Sequence, residues 1–249
     1  MSRSILTWLV AVGLCVGSTN AAESSYAVIV SKKTAADADW SKVVEALVKK
    51  HRATTIVYDK SPAESLPSLK KQFPRHACFV ATPSEAGRKF VADVHQLTRR
   101  LDDDPYTDVR WGILTGHDAD NALAIAKHDT ALVIGKSAAG TEIALDMCKE
   151  GVWYCELEQN KFVKKEPGGQ PREGAGPSDT TQALVDVLND YQPDLWVTSG
   201  HATERDWQIG FRYRNGSFRS SQGRLHGIDT RGRRLAVNSP NPKVFMPIG

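Results

Sequence analysis

His201 is the strongest candidate for chemistry in this sequence. It follows Gly200 and precedes a run of polar residues at 203–206. The stretch before it, 194–198, has the apolar and β-branched content that predicts a buried strand. An imidazole with a pKa near ~6.5 transfers protons at neutral pH, and the carboxyl edge of an α/β sheet is where such groups meet ligands. We therefore predict an acid/base role for His201; the alternative is a histidine that only hydrogen-bonds its own loop.

Three cysteines lie outside the first 22 residues, and none of them is predicted to act as a nucleophile with His201. Cys78 belongs to an alternating apolar run and is expected in the core. Cys148 and Cys155 either stay free or form a disulfide, which their spacing alone does not decide. We expect neither at a strand end of the catalytic kind, and without a Cys-x-x-Cys pair we expect no structural zinc site.

The other histidine and carboxylate patterns predict no metal centre and no cofactor. His117 follows Gly116 much as His201 follows Gly200, but no carboxylate cluster of ligand spacing accompanies either histidine. We therefore expect His117 at the start of a helix, and a zinc hydrolase is the less favoured alternative. The acidic residues 102–104 are expected to end a helix rather than to bind calcium.

Strand-like and helix-like stretches alternate over the first half of the chain. Strands are predicted at 26–30, 53–58, 77–81 and 109–114. Helices are predicted from apolar residues at helical spacing within 40–48, 66–69, 90–101 and 118–128, the last with Asp118 as N-cap. This rhythm predicts parallel strands joined by right-handed crossovers.

The second half is predicted to carry a loop, a helix, hairpins and two strands. Residues 165–178 are rich in Pro and Gly, which predicts a loop between an N-terminal α/β half at 24–164 and a histidine-bearing part at 179–249. Asn-Gly at 215–216 predicts hairpins, and 243–248 is expected as a central strand. A helix capped by Ser178 or Asp179 is expected to bury Leu184, Val187, Leu188 and Tyr191. The predicted fold class is α/β, a mostly parallel sheet flanked by helices, with a β-hairpin insertion near the C-terminus.

The N-terminus and the charge indicate where the protein works and with what. Residues 1–22 combine Arg3, an apolar run and small residues at the end, which is typical of a secretory signal peptide. The run is too short to span a bilayer, so we expect an exported protein, periplasmic, at the cell surface or secreted, without a transmembrane segment. The net charge is only +3, although eight Arg and one Lys stand against two Asp between Arg205 and Gly249. No aromatic and basic recognition motif accompanies them, so we expect a solvated surface and no nucleic-acid partner.

Three segments resemble the gingipain-like cysteine peptidases, which share the caspase-type fold. Residues 198–207, Thr-Ser-Gly-His-Ala-Thr-Glu-Arg-Asp-Trp, look like the Gly-His block of that family. Residues 111–127, Trp-Gly-Ile-Leu-Thr-Gly-His-Asp-Ala-Asp-Asn-Ala-Leu-Ala-Ile-Ala-Lys, are similar to its upstream strand, loop and helix. Residues 243–249, Lys-Val-Phe-Met-Pro-Ile-Gly, are placed like the strand that precedes its nucleophile.

The resemblance implies peptide-bond hydrolysis by acyl transfer, with a polypeptide as substrate. It assigns His201 the acid/base role and Gly200 and Ala202 the loop whose backbone N–H groups stabilise the oxyanion. Glu204 and Trp207 are candidates near the site. The sequence departs from the family at Ala202, where glycine is common, and no cysteine follows His201.

The nucleophile implied by the resemblance is expected just after Gly249. The alternatives are a non-catalytic exported binding module on the same scaffold and a periplasmic protein that binds a small ligand at the same sheet edge.

Overall fold

Two compact units make up the chain in the computed structural model, Met1–His128 and Asp129–Gly249. The structure describes residues 25–203, 205–210 and 215–248. The predicted signal peptide at 1–22, Glu204 and Gly249 therefore lie outside the described residues. The boundary between the units does not coincide with the loop predicted at 165–178, which lies within the second unit.

The first unit is built on a four-stranded parallel sheet with the strand order β2-β1-β3-β4. It confirms the four strands predicted in this half of the chain. The strands are β1 (Tyr26–Ser31), β2 (Thr54–Tyr58), β3 (His76–Val80) and β4 (Arg110–Leu114). The helices are α1 (Lys32–Ala36), α2 (Ala38–His51), α3 (Leu66–Gln72), α4 (Arg88–Leu97) and α5 (Ala119–Lys127), with a 3-10 turn at Pro62–Ser65.

Both faces of this sheet are covered, as the continuous apolar run of β1 predicts. Ala27 and Ile29 face one core with α3 and α4, and Val28 and Val30 face another with α2 and α5. The helix α5 begins as predicted, because the Asp118 carboxylate accepts a hydrogen bond from the Asn121 N–H at 2.9 Å.

The helix α4 ends at Leu97, earlier than the acidic residues 102–104 that were expected to end it. Leu101 is nevertheless buried, at 4% exposure, because the chain after α4 turns back over the same core. The apolar spacing had predicted burial correctly and helix length incorrectly.

The second unit contains a mixed six-stranded sheet with the order β14-β9-β5-β6-β7-β8. The strands β14, β9, β5 and β6 are mutually parallel, and β7 and β8 are added as antiparallel hairpins. A separate antiparallel sheet, β10-β11-β12-β13, lies in the chain between β9 and β14. The strands are β5 (Lys136–Ala139), β6 (Glu150–Tyr154), β7 (Lys161–Lys165), β8 (Arg172–Ala175), β9 (Leu195–Ser199), β10 (Asp206–Gln208), β11 (Ser217–Ser221), β12 (Arg224–Ile228), β13 (Arg234–Ala236) and β14 (Val244–Ile248).

The segment 165–178 is not wholly a loop. It includes β8, which pairs antiparallel with β7, so the segment closes a hairpin instead of dividing the chain. The strand has no apolar alternation because it is an outer strand with mostly exposed side chains. Backbone hydrogen bonds to β7 hold β8 in the sheet, and such pairing leaves no periodic pattern of side chains in the sequence.

A short helix, α6 (Thr181–Asp186), continues as a π-helical turn at Val187–Tyr191. Leu184 and Leu188 are buried as predicted, whereas Val187 and Tyr191 are only partly buried. The N-cap position is Thr180, and the Asp179 carboxylate accepts from the Thr181 N–H at 2.9 Å. No helix in the described part of the chain combines the length and the apolar content needed to cross a membrane.

The strand β14 is an edge strand of the sheet that the described residues form, not the central strand that was predicted. The Val244 N–H donates to the Asp194 carbonyl, so alternate residues of β14 bond to β9 and Pro247 faces the free edge. A proline has no N–H to donate, and within sheets it is confined largely to edges. The composition of β14 therefore fits its position.

Candidate functional site

His201 lies directly beyond the carboxyl end of β9. Trp196, Val197 and Thr198 of that strand are buried, at 1–4% exposure, and the His201 side chain is exposed. The buried strand that was predicted before this histidine is confirmed. The structure places the imidazole at the sheet edge and not within the apolar core.

Gly200 occupies a backbone conformation that other residues rarely adopt. Its φ is +129°, and a Cβ at this position would lie 3.1 Å from the Gln208 carbonyl oxygen. Only glycine takes this conformation without strain, and here the chain leaves the sheet to enter the loop. The geometry of the His201 loop therefore depends on the glycine that precedes it.

The His201 loop is one arm of a tight hairpin. The Gln208 N–H donates to the His201 carbonyl at 3.0 Å, and the Thr203 N–H donates to the Asp206 carbonyl at 2.7 Å. Ala202 lies opposite Trp207 in the non-hydrogen-bonded position between these two bonds. The Ala202 N–H consequently points away from the other arm of the hairpin.

The open side of the His201 loop is the side on which β14 lies. The Val197 and Ser199 carbonyls accept from Gly140 and Gly210, on the β5 side of β9. On the other side β9 pairs in parallel with β14, and Ser199 stands opposite Ile248. Neighbouring strands lie about 4.8 Å apart, so the chain that leaves β14 starts beside the chain that leaves β9.

A pocket of about 300 Å³ opens next to His201. It is lined by residues of the His201 loop and of one face of the antiparallel sheet, and Arg219 and Asp206 contribute its charges. Arg219 donates from Nε and Nη2 to the two carboxylate oxygens of Asp206, the second bond at 2.9 Å. The lining residues are His201, Ala202, Thr203, Asp206, Trp207, Gln208, Ser217, Arg219 and Ile228.

Trp207, a predicted near-site residue, lines this pocket and belongs to an aromatic cluster. Its ring lies 5.8 Å from Phe218, 6.1 Å from Trp196 and 5.4 Å from Phe245, measured between centroids. Trp196 and Phe245 are stacked at 4.7 Å across the β9–β14 pair. The cluster therefore packs the pocket wall against the two strands that carry the site.

His226 lies buried on the same face of the antiparallel sheet as Arg219. The two residues are directly opposite in the β11–β12 register, and His226 is 4% exposed. Burial lowers the pKa of His226, and the positive charges of Arg234 and Arg219 lower it further. This histidine was not singled out from the sequence, because only the strand register brings it beside Arg219.

The three cysteines among the described residues, Cys78, Cys148 and Cys155, are free, so Cys148 and Cys155 form no disulfide. Cys148 precedes β6 and Cys155 follows it, so the two lie at opposite ends of one strand. Burial raises the pKa of the Cys78 thiol to about 11, as suits a core residue. Cys155 lies at the carboxyl end of β6, which is two strands from β9, about 10 Å away, and therefore not at the strand end beside His201.

Other candidate residues lie in the first unit. His117 stands before α5 as predicted, and its N–H donates to the Asn121 side chain at 3.2 Å. The carboxylates of Asp102, Asp104 and Asp108 come within 4.8 Å of one another. Burial, and then repulsion from the other two, raises the pKa of Asp108. The sequence had singled out 102–104 but not Asp108.

Comparison with protein-family models, with curated proteins and with solved structures gave no match to this chain. What bears on function is therefore the geometry of the His201 site and the resemblance of its sequence block.

Proposed function

We propose that the second unit is the histidine-bearing part of a gingipain-like cysteine peptidase with the caspase-type fold, which acts on polypeptides after export. The observation that carries the proposal is the parallel pairing of β9 with β14. This pairing sets the exposed His201 beside the end of β14, where the family that it resembles has its thiol. A histidine buried in the core, or on a strand distant from β14, would have argued against it.

The proposed nucleophile is a cysteine that follows β14. No cysteine follows His201 within the printed sequence, so the proposal places it in residues that continue from Gly249. Parallel strands deliver their carboxyl ends to the same sheet edge, and the first residues after β14 would therefore meet the open side of the His201 loop.

In the proposed reaction His201 accepts the proton of this thiol, and the thiolate attacks the carbonyl carbon of a peptide bond. The C–N bond breaks, and His201 gives the proton to the departing amine. Water then hydrolyses the thioester, with His201 again as the base, and the thiol is restored. The Ala202 N–H, which points away from its hairpin partner, is the proposed donor to the oxyanion.

The decisive experiment expresses the chain together with its natural downstream reading frame and measures turnover of a mixed fluorogenic peptide library. We expect activity that a thiol-alkylating reagent abolishes and that His201→Ala lowers at least about 100-fold, because general acid/base catalysis contributes that much. His117→Ala is the matched control, since it removes another exposed histidine from the first unit, and it should leave turnover unchanged.

Cys155→Ser separates the proposed nucleophile from the cysteine at the end of β6. We expect this variant to keep both its turnover and its sensitivity to alkylation. Loss of either would move the nucleophile to Cys155 and contradict the proposal. A downstream frame without a cysteine, together with peptide binding but no turnover, would favour the non-catalytic binding module.

A further inference from the structure

The antiparallel sheet presents one polar face beside His201. Residues that stand opposite each other in neighbouring antiparallel strands project to the same face. The pairs Asp206 with Arg219 and Arg219 with His226 therefore form one row across β10, β11 and β12. Ser217, opposite Gln208 and Ile228, belongs to the same face and to the wall of the pocket. We call this surface the arginine face.

Arg219 is held in position on the arginine face. Asp206 fixes the guanidinium through its Nε and Nη2 atoms. This bidentate pairing restricts rotation of the arginine side chain. The third guanidinium nitrogen, Nη1, takes no part in the pairing with Asp206. A guanidinium fixed in this way binds a second carboxylate at a lower entropic cost than a freely rotating one.

The charge of the arginine face is positive. Arg224 stands opposite Ser221, and Arg234 stands opposite the pocket residue Ile228, so both project to this face with Arg219. Asp206 is the one carboxylate on the described strands β10 to β13. Burial lowers the pKa of His226, and the positive charges of Arg234 and Arg219 lower it further, which agrees with a positive field at this surface.

We infer that the pocket beside His201 binds the carboxylate of an acidic side chain in a peptide substrate, with Arg219 as its receptor. The inference rests on the proposed function for the peptide nature of the ligand. The pocket volume of about 300 Å³ is enough for one side chain. The apolar side chain of Ile228, on the same face as Arg219, contacts the methylene groups of the acidic side chain, and Arg219 pairs with its carboxylate.

A binding measurement tests this inference without any turnover. Failure of the inference is therefore distinct from failure of the peptidase proposal. Calorimetric titration of the His201→Ala chain compares three blocked peptides that are identical except for a central Glu, Gln or Lys. We expect the Glu peptide to bind at least tenfold more tightly than the Gln peptide, and the Lys peptide to bind most weakly. Equal binding of the Glu and Gln peptides, tighter binding of the Lys peptide, or no binding of the Glu peptide would overturn the inference.

Arg219→Gln should lower the affinity for the Glu peptide at least tenfold and abolish the preference for Glu over Gln. Arg219→Lys keeps the charge but loses the bidentate fork, so it should retain part of that preference. Arg100→Gln is the matched control on an exposed arginine of the first unit, and it should bind like the parent. If Arg219→Gln fails to fold, the comparison of the three peptides on the His201→Ala chain, which retains Arg219, still tests the inference.

Discussion

Replacing Gly200 with alanine should destabilise the second unit more than an ordinary glycine-to-alanine change. The φ of +129° costs an L-residue about 1–3 kcal/mol. The new Cβ would also lie 3.1 Å from the Gln208 oxygen, 3.2 Å from the Gln208 Cβ and 3.3 Å from the Gly210 nitrogen. Such overpacking typically costs at least about 1 kcal/mol. We therefore expect the free energy of unfolding to fall by about 3 kcal/mol.

Gly232→Ala is the control that separates backbone strain from crowding. Gly232 also has a positive φ, +80°, but a Cβ there would meet nothing within 4 Å. We expect this variant to lose about 1 kcal/mol, the cost of the left-handed conformation alone.

Urea unfolding of both variants, followed by tryptophan fluorescence, measures the difference. With a slope of about 2 kcal/mol per molar urea, Gly200→Ala should lower the midpoint by about 1.5 M and Gly232→Ala by about 0.5 M. If Gly200→Ala unfolds within about 0.3 M of the parent, the chain does not need glycine to leave β9, and the geometry described for the His201 loop is wrong.

Two further predictions concern acid stability and thiol reactivity. Burial would raise the pKa of Asp179, but hydrogen bonds from Thr181 and Thr230 outweigh it and lower the pKa from 3.8. The ionised carboxylate therefore stabilises the fold above about pH 4, and this stabilisation is lost as the pH falls through the pKa of Asp179 in the folded state. Asp179→Asn should be less stable than the parent in urea at about pH 7, and the difference should shrink at about pH 3. Alkylation of the native chain, followed by peptide mass spectrometry, should label Cys148 and Cys155 before Cys78, which is 7% exposed; equal rates would contradict the burial of Cys78.

Local pattern was enough to predict the four strands of the first unit and the start of α5. The alternation of β-branched and amphipathic stretches predicted its four strands, and Asp118 predicted the start of α5. Burial on both faces favours apolar residues at successive positions of a strand, as at 27–30 in β1, and this pattern is visible in the sequence.

The second unit was harder to predict because backbone pairing organises much of it. β8 has exposed side chains, and its order comes from hydrogen bonds to β7. The edge position of β14 follows from the order of strands in the sheet. Neither property depends on a periodic pattern of side chains, so neither could be found from periodicity.

The sequence by itself determined where an acid/base histidine could stand, because a buried strand followed by Gly200 and His201 predicts a side chain at a sheet edge. Only the tertiary structure decided what surrounds it. Asp206, Arg219 and His226 are separated along the chain, and the antiparallel register brings them into one row. Register is set by hydrogen bonds between strands, and a shift of one residue would turn every one of these side chains to the opposite face.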